Sequence, residues 1–226
     1  MNTVNEKLAR ESLGLDLINL GFNGMTAHYI FPVIDEINKH NKGSEIFIEI
    51  TAFDVPKDDD QDYSFFTPNS ASFKKLIPSK KYDVFPLLTL NSIFFLRSMY
   101  FFNKPDDHSI SSRIISSETG KKVASGGVMP MIADKKAFQQ MIDSIQQLCT
   151  SHGNTAHFFL APYYPPSLKR FNDYSEITGY FEQKKYVFTD LNKSELDNNM
   201  FADRVHTNMA GANAMTTFMF QRPVTN

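Results

Sequence analysis

Apolar positions along the chain fall into two rhythms that alternate. Leu15–Phe22 (LDLINLGF) is a short apolar run that closes around a glycine, and it predicts a buried strand. After Gly21-Phe22-Asn23-Gly24, apolar residues recur at Ile30, Val33, Ile34 and Ile37, which is helical spacing. Pro32 should lie in the first turn of that helix or kink it, and Gly43 should end the element. Glu45–Phe53 (EIFIEITAF) is β-branched and aromatic and predicts a second strand. Further on, Asp134 is placed to cap a helix that carries Phe138, Met141, Ile142, Ile145, Leu148 and Cys149 on one face, with Gly153 as its stop. Thr155–Ala161 (TAHFFLA) predicts a third strand, and Pro162–Pro166 a rigid loop after it. Ser167–Lys184 reads as mostly helical, Tyr186–Leu191 as a fourth strand, and Asn208–Phe220 as a closing helix with Met215, Phe218 and Met219 apolar.

The middle of the chain breaks this alternation. Asp54–Asp83 carries Pro56, Pro68, Pro78 and an acidic run at Asp58, Asp59, Asp60 and Asp62, and it reads as irregular. The acidic run lacks the glycine and terminal glutamate of a calcium loop, so a solvated loop is expected. Leu87–Phe102 is aromatic and of helix length, while Ser109–Val128 is serine-rich with a Thr119-Gly120 turn signal and predicts a hairpin or flap. Strands alternating with helices argue an α/β fold with a mainly parallel sheet flanked by helices. One domain over residues 1–226 is expected, with about 54–128 inserted as a lid. Ligands of such sheets gather at the carboxyl ends of the strands. That places Gly21–Gly24, Phe53-Asp54, Pro162–Pro166 and the segment after Leu191 along one rim.

Composition narrows the classes. The 226 residues carry 23 Lys and Arg against 25 Asp and Glu, so no basic excess points to nucleic acid. The most apolar stretch, Val84–Leu96, has 13 residues, short of the ~20 that a membrane span needs, so no span is expected. Met1–Leu15 is polar and charged and has no apolar signal-peptide core. Tryptophan is absent and phenylalanine reaches 21, which predicts a Phe-rich core. The lone Cys149 excludes an internal disulfide and reads as inert core. His40, His108 and His152 have no partners at metal-ligand spacing, so neither metal nor cofactor is expected. His28 reads as packed or surface, and His157 as a core or cross-strand residue.

Two rim features carry candidate chemistry. In Asp203-Arg204-Val205-His206, an aspartate three residues before a histidine can hold the imidazole through its Nδ1 proton and leave the other nitrogen as a general base. The alternative is a helix N-terminal carboxylate beside an unrelated surface histidine. In Gly21–Gly24, a strand-to-helix turn with two glycines can present backbone N–H groups to an oxyanion or a phosphate, or can simply be a tight turn. Neither G-x-G-x-x-G nor a P-loop is present, although a phosphate-binding flavodoxin-like role remains a further alternative. Tyr163 and Tyr164 offer rings for stacking on a sugar, or for packing the loop.

Together these features resemble the SGNH/GDSL hydrolase superfamily over residues 15–220, which implies its flavodoxin-like three-layer α/β fold. Ile18-Asn19-Leu20-Gly21-Phe22-Asn23-Gly24 looks like its second block, N-x-G-x-x-G, and Phe201–Asn208 followed by Gly211 looks like its fifth, with the D-x-x-H pair. The resemblance implies Asp203 and His206 as orienting acid and base, the Gly24 N–H as an oxyanion donor, and Asn23 beside the substrate. Leu87–Ser92 and the Phe201–His206 phrase suggest the branch found with cell-envelope and exopolysaccharide genes, whose members are esterases or O-acyltransferases, sometimes with degenerate sites. The implied substrate is an acyl ester, such as an acetyl ester, of carbohydrate, and the implied location is the cell envelope.

Two departures stand out. The first block, a strand ending in the nucleophilic serine, is missing: Ser12 is the sole serine before Gly21, within a helix-like stretch from Glu6 to Leu13. The expectation is therefore a serine upstream of Met1, with the 226 residues inactive or nearly so by this route. The third block, G-x-N-D, also fails, because Phe53 precedes Asp54 where the family has an asparagine; Asn91 is a candidate replacement. Ser125, in Ser-Gly-Gly, is either a substitute nucleophile or part of a glycine turn. A non-catalytic carbohydrate-binding or assembly protein on the same fold is the competing expectation. Acyl group, acceptor and oligomeric state are left open by the sequence.

Overall fold

In a computed structural model, which describes residues 4–15, 17, 27–53, 112–194 and 196–220, the strand-like runs meet as a three-stranded parallel sheet. β1 (Glu45–Glu49), β2 (Thr155–Leu160) and β3 (Phe188–Asp190) stand in that order. Glu45 is in register with Thr155, Glu49 with Phe159, Phe158 with Phe188 and Leu160 with Asp190. The two-residue period of a strand then sorts the side chains. Ile46, Ile48, Ala156, Phe158 and Leu160 enter one core, while Phe47 and Phe159 enter another on the opposite face.

Helices cover both faces. In chain order they are α1 (Glu6–Leu13), α2 (Ala27–His40), α3 (Ser117–Ala124), α4 (Lys135–Ser151), α5 (Pro165–Leu168), α6 (Tyr174–Lys184) and α7 (Met209–Phe220). α4 begins where the sequence places its cap: the Asp134 carboxylate accepts the Ala137 N–H at 3.0 Å. It turns Phe138, Ile142, Ile145 and Cys149 fully inward and ends at Ser151, followed two residues on by Gly153, whose φ of +77° suits glycine. α2 adds Ile30 and Ile34 to this core, and α6 adds Phe181, stacked on Phe188 at 4.3 Å. On the opposite face α7 packs Met215 with Phe159 and Leu191, and Phe220 meets Phe47 edge-on at 4.9 Å. α1 lies against α7. Asn5 both caps α1, accepting the Leu8 N–H at 3.1 Å, and donates to Asn213 Oδ1 at 2.7 Å. An α/β architecture with a parallel sheet between helices is thus observed.

Several expectations need correction. The second strand stops at Glu49, and Ile50–Phe53 is a 3-10 turn. Its three-residue repeat puts Ile50 and Phe53 on the same side, where both are buried, an outcome that β-branched composition does not distinguish from a strand. The described part of Ser109–Val128 holds α3 rather than a hairpin, with Thr119 and Gly120 inside the helix. Ser116 Oγ accepts the Thr119 N–H at 3.2 Å and opens the helix. Gly120 serves close approach instead of a turn: a Cβ there would stand 2.6 Å from the Tyr164 hydroxyl. Pro32 is the sixth residue of α2, beyond its first turn. The helical stretch Ser167–Lys184 is divided by Asp173, a buried carboxylate that accepts the N–H groups of Met131 and Ile132 at 2.7 and 3.3 Å. Of the predicted first strand, Leu15–Phe22, only Leu15 and Leu17 are described, and most of the 54–128 lid falls outside the described residues. Among the described residues no helix is long and apolar enough to cross a membrane.

Candidate functional site

The segment between a 3-10 turn at Asn198–Met200 and α7 closes on itself as a tight loop. Phe201 and Thr207 form an antiparallel bridge, and the N–H groups of Ala202 and Asp203 both donate to the His206 carbonyl, at 2.9 and 3.3 Å. Inside this loop the Asp203 carboxylate has three donors. Oδ1 accepts the N–H groups of Val205 and His206, each at 2.9 Å, and Oδ2 lies 2.8 Å from His206 Nδ1. Partial burial by itself pushes the Asp203 carboxyl up. The Val205 N–H, the hydrogen bond and charge of the His206 ring and the His206 N–H outweigh it, and the carboxyl sits below its usual range. An ionised carboxylate only accepts, so Nδ1 carries the proton and a neutral ring keeps its lone pair on Nε2. No hydrogen bond reaches Nε2 among the described residues. The His206 side chain is 44% exposed.

The loop is tied to the carboxyl ends of the strands, as the rim argument expects. The Tyr164 N–H donates to the Arg204 carbonyl at 3.2 Å, and the neighbouring Tyr163 N–H donates to Asn192 Oδ1 at 2.8 Å. Asn192 in turn donates through its backbone N–H and its Nδ2 to Asp190 Oδ1, at 3.1 and 3.0 Å. The Tyr174 hydroxyl donates to the other oxygen of Asp190. Burial and this carboxylate both push the Tyr174 phenol up, so it stays a donor. Asp190 is the last residue of β3 and is 6% exposed, and the chain of contacts from it leads directly to the Asp203–His206 loop. Asp190 and Asn192 were not singled out from the sequence. An aspartate closing a strand and an asparagine two residues on are common turn formers, and only the fold shows what they hold.

The remaining predicted positions are distributed as follows. Tyr164 is 8% exposed and packs edge-on against Phe201 at 5.8 Å, with Ile115 and Leu196 around it. Its ring is engaged in packing, the alternative that the sequence left open to stacking on a sugar. Tyr163 is half-buried, edge-on to Phe171 at 4.8 Å. Gly24 and Asn23 lie outside the described residues, as do Gly21, Asp54, Asn91 and His108, and so does the side chain of His28. Ser12 is exposed on α1. Ser125 is exposed just past α3, with its hydroxyl donating to the Lys122 carbonyl at 3.0 Å. His157 lies beside Phe47 on the neighbouring strand, with ring centroids 4.7 Å apart and the rings tilted by 33°. Cys149 is fully buried, and burial pushes its thiol up. His152 Nδ1 lies 2.9 Å from the Leu148 carbonyl at the end of α4. Among the described residues no group of three or more His, Cys, Asp or Glu side chains is placed to hold a metal ion.

A second polar cluster joins α4 to α6. Asp143 accepts from the hydroxyls of Tyr180 and Tyr186 and from Lys184 Nζ, the latter two at 2.8 and 2.9 Å. Burial and the Asp143 charge push Tyr186 up to about 12. The two hydroxyls and the ammonium are consumed in tying the helices together. Comparison of the chain with protein-family models, with curated proteins and with solved structures gave no match.

Proposed function

We propose that Asp203 and His206 are the acid–base pair of an SGNH-type esterase or O-acyltransferase acting on acyl esters, such as acetyl esters, of carbohydrate. The observation that carries this is the 2.8 Å contact between Asp203 Oδ2 and His206 Nδ1, with Nε2 left unengaged among the described residues. In the proposed reaction a serine hydroxyl from outside the described residues attacks the ester carbonyl, and Nε2 takes its proton. Asp203 holds the ring in the required tautomer and stabilises the imidazolium that forms. The Gly24 N–H donates to the tetrahedral oxyanion. Nε2–H then protonates the departing sugar oxygen. Water or an acceptor hydroxyl repeats the cycle on the acyl-enzyme, giving hydrolysis in the first case and transfer in the second. General-base assistance of this kind contributes ~10²–10⁴-fold. The carbohydrate substrate and a cell-envelope location rest on the family resemblance.

The test is turnover of an aryl acetate by the protein isolated from its own cells and by its His206→Ala variant. A loss of ~10³-fold or more is expected, because base and nucleophile act as a unit. A rate that survives His206→Ala contradicts the proposal. One observation favours a second reading, a carbohydrate-binding or assembly protein without turnover: Phe53 stands where the family's third block has its asparagine donor, and its side chain is buried in the core. Saturable binding of an acetylated glycan, with no acetate released, is the result expected on that reading.

A further inference from the structure

We infer that Asn208 is a positioning residue for the Asp203–His206 pair, an inference that rests on reading the pair as acid and base. Asn208 is 4% exposed and all of its polar groups are used. Its N–H donates to the Met200 carbonyl at 2.9 Å, and its carbonyl accepts the Ala212 N–H at 2.8 Å. The side chain works in both directions. Nδ2 donates to the Asn199 carbonyl at 2.6 Å, on the chain entering the loop. Oδ1 accepts the Gly211 N–H at 3.2 Å, in the first turn of α7, on the chain leaving it. One amide thus clamps the two ends of the loop to each other and to a helix N-terminus.

The chemistry requires asparagine. An amide offers a donor and an acceptor on opposite sides of one short planar group. Aspartate keeps the acceptor for the Gly211 N–H but has no donor for Asn199. Serine caps the helix with one oxygen that does not reach both. His206 lies two residues before the clamp, and Asp203 Oδ2 must meet Nδ1 while Oδ1 stays on two backbone N–H groups. If the loop ends part, that three-donor arrangement is the first contact set to loosen, and the imidazole loses the partner that fixes its tautomer.

The experiment is ¹⁵N NMR of the His206 imidazole in the full chain, read in the neutral ring, for the unaltered protein, Asn208→Asp and Asn208→Ser. Both variants keep a cap on α7, and the aspartate adds a charge that a helix N-terminus favours, so folding is retained. The Nδ1–H tautomer is expected to dominate in the unaltered protein and to fall severalfold relative to Nε2–H in both variants. A change in helix stability alone does not move that ratio. An unchanged tautomer ratio in the folded variants overturns the role of Asn208 and leaves the acid–base reading intact. An unaltered protein already in the Nε2–H form overturns the acid–base reading itself, whatever Asn208 does.

Discussion

Asp203 engages three donors with two oxygens, and that arrangement has a definite pH signature. Its folded-state carboxyl lies below the usual range, because hydrogen bonds from Val205 and His206 outweigh the effect of partial burial. A depressed folded-state value means that the native loop favours the ionised form. The resulting stabilisation is fully present above the ordinary aspartate value of about 3.9 and is lost as pH falls through the lower folded value. The side chain is 49% exposed, so solvent screens the interaction and the effect is modest. The urea midpoint of the unaltered protein is expected to exceed that of Asp203→Asn by a constant margin above the carboxylate range. That margin should shrink on acidification below it, and a margin that grows on acidification contradicts the assignment. At this scale the pair was legible because a three-residue separation in a tight loop allows few other contacts. Tyr164 was not, because the fate of its ring depends on Phe201, a residue distant in sequence.

At the scale of elements, α7 is held by what its first turn lacks. A Cβ on Gly211 would stand 2.3 Å from the Met200 carbonyl oxygen and 2.8 Å from Thr207 Cβ. Helix propensity alone predicts that Gly211→Ala stabilises by ~1 kcal/mol. The clash is with backbone, which cannot swing aside as a long side chain can. Overpacking should therefore win and destabilise by about 1–3 kcal/mol. A urea melt decides the sign, and a stabilised variant refutes the close approach of α7 to the Asp203–His206 loop. Capped, strongly periodic elements were legible: Asp134 and Gly153 bracket α4 through effects local to each end. The 3-10 turn at Ile50–Phe53 and the helix at Ser117–Ala124 were not. In the first, a strand-like composition is overridden by burial of Ile50 and Phe53 on one side. In the second, a glycine chosen for contact with Tyr164 mimics a turn glycine.

Across the whole molecule, the alternation of strands and helices gave the parallel sheet with helices on both faces, because a sheet with two apolar faces must be covered twice. The same logic placed the segments after β2 and β3 on one rim with the Asp203–His206 loop, and the contacts through Asn192, Tyr163 and Tyr164 join them there. The hydrogen bonds of that rim were beyond sequence reasoning, since they depend on which carbonyls the fold brings within reach. The measurement that tests the proposed general base most directly is covalent labelling by a fluorophosphonate of the native protein isolated from its own cells, compared with His206→Ala. A single labelled serine, mapped by mass spectrometry and lost in His206→Ala, is the predicted result. A protein that stays unlabelled, or that is labelled at the same rate without His206, contradicts it.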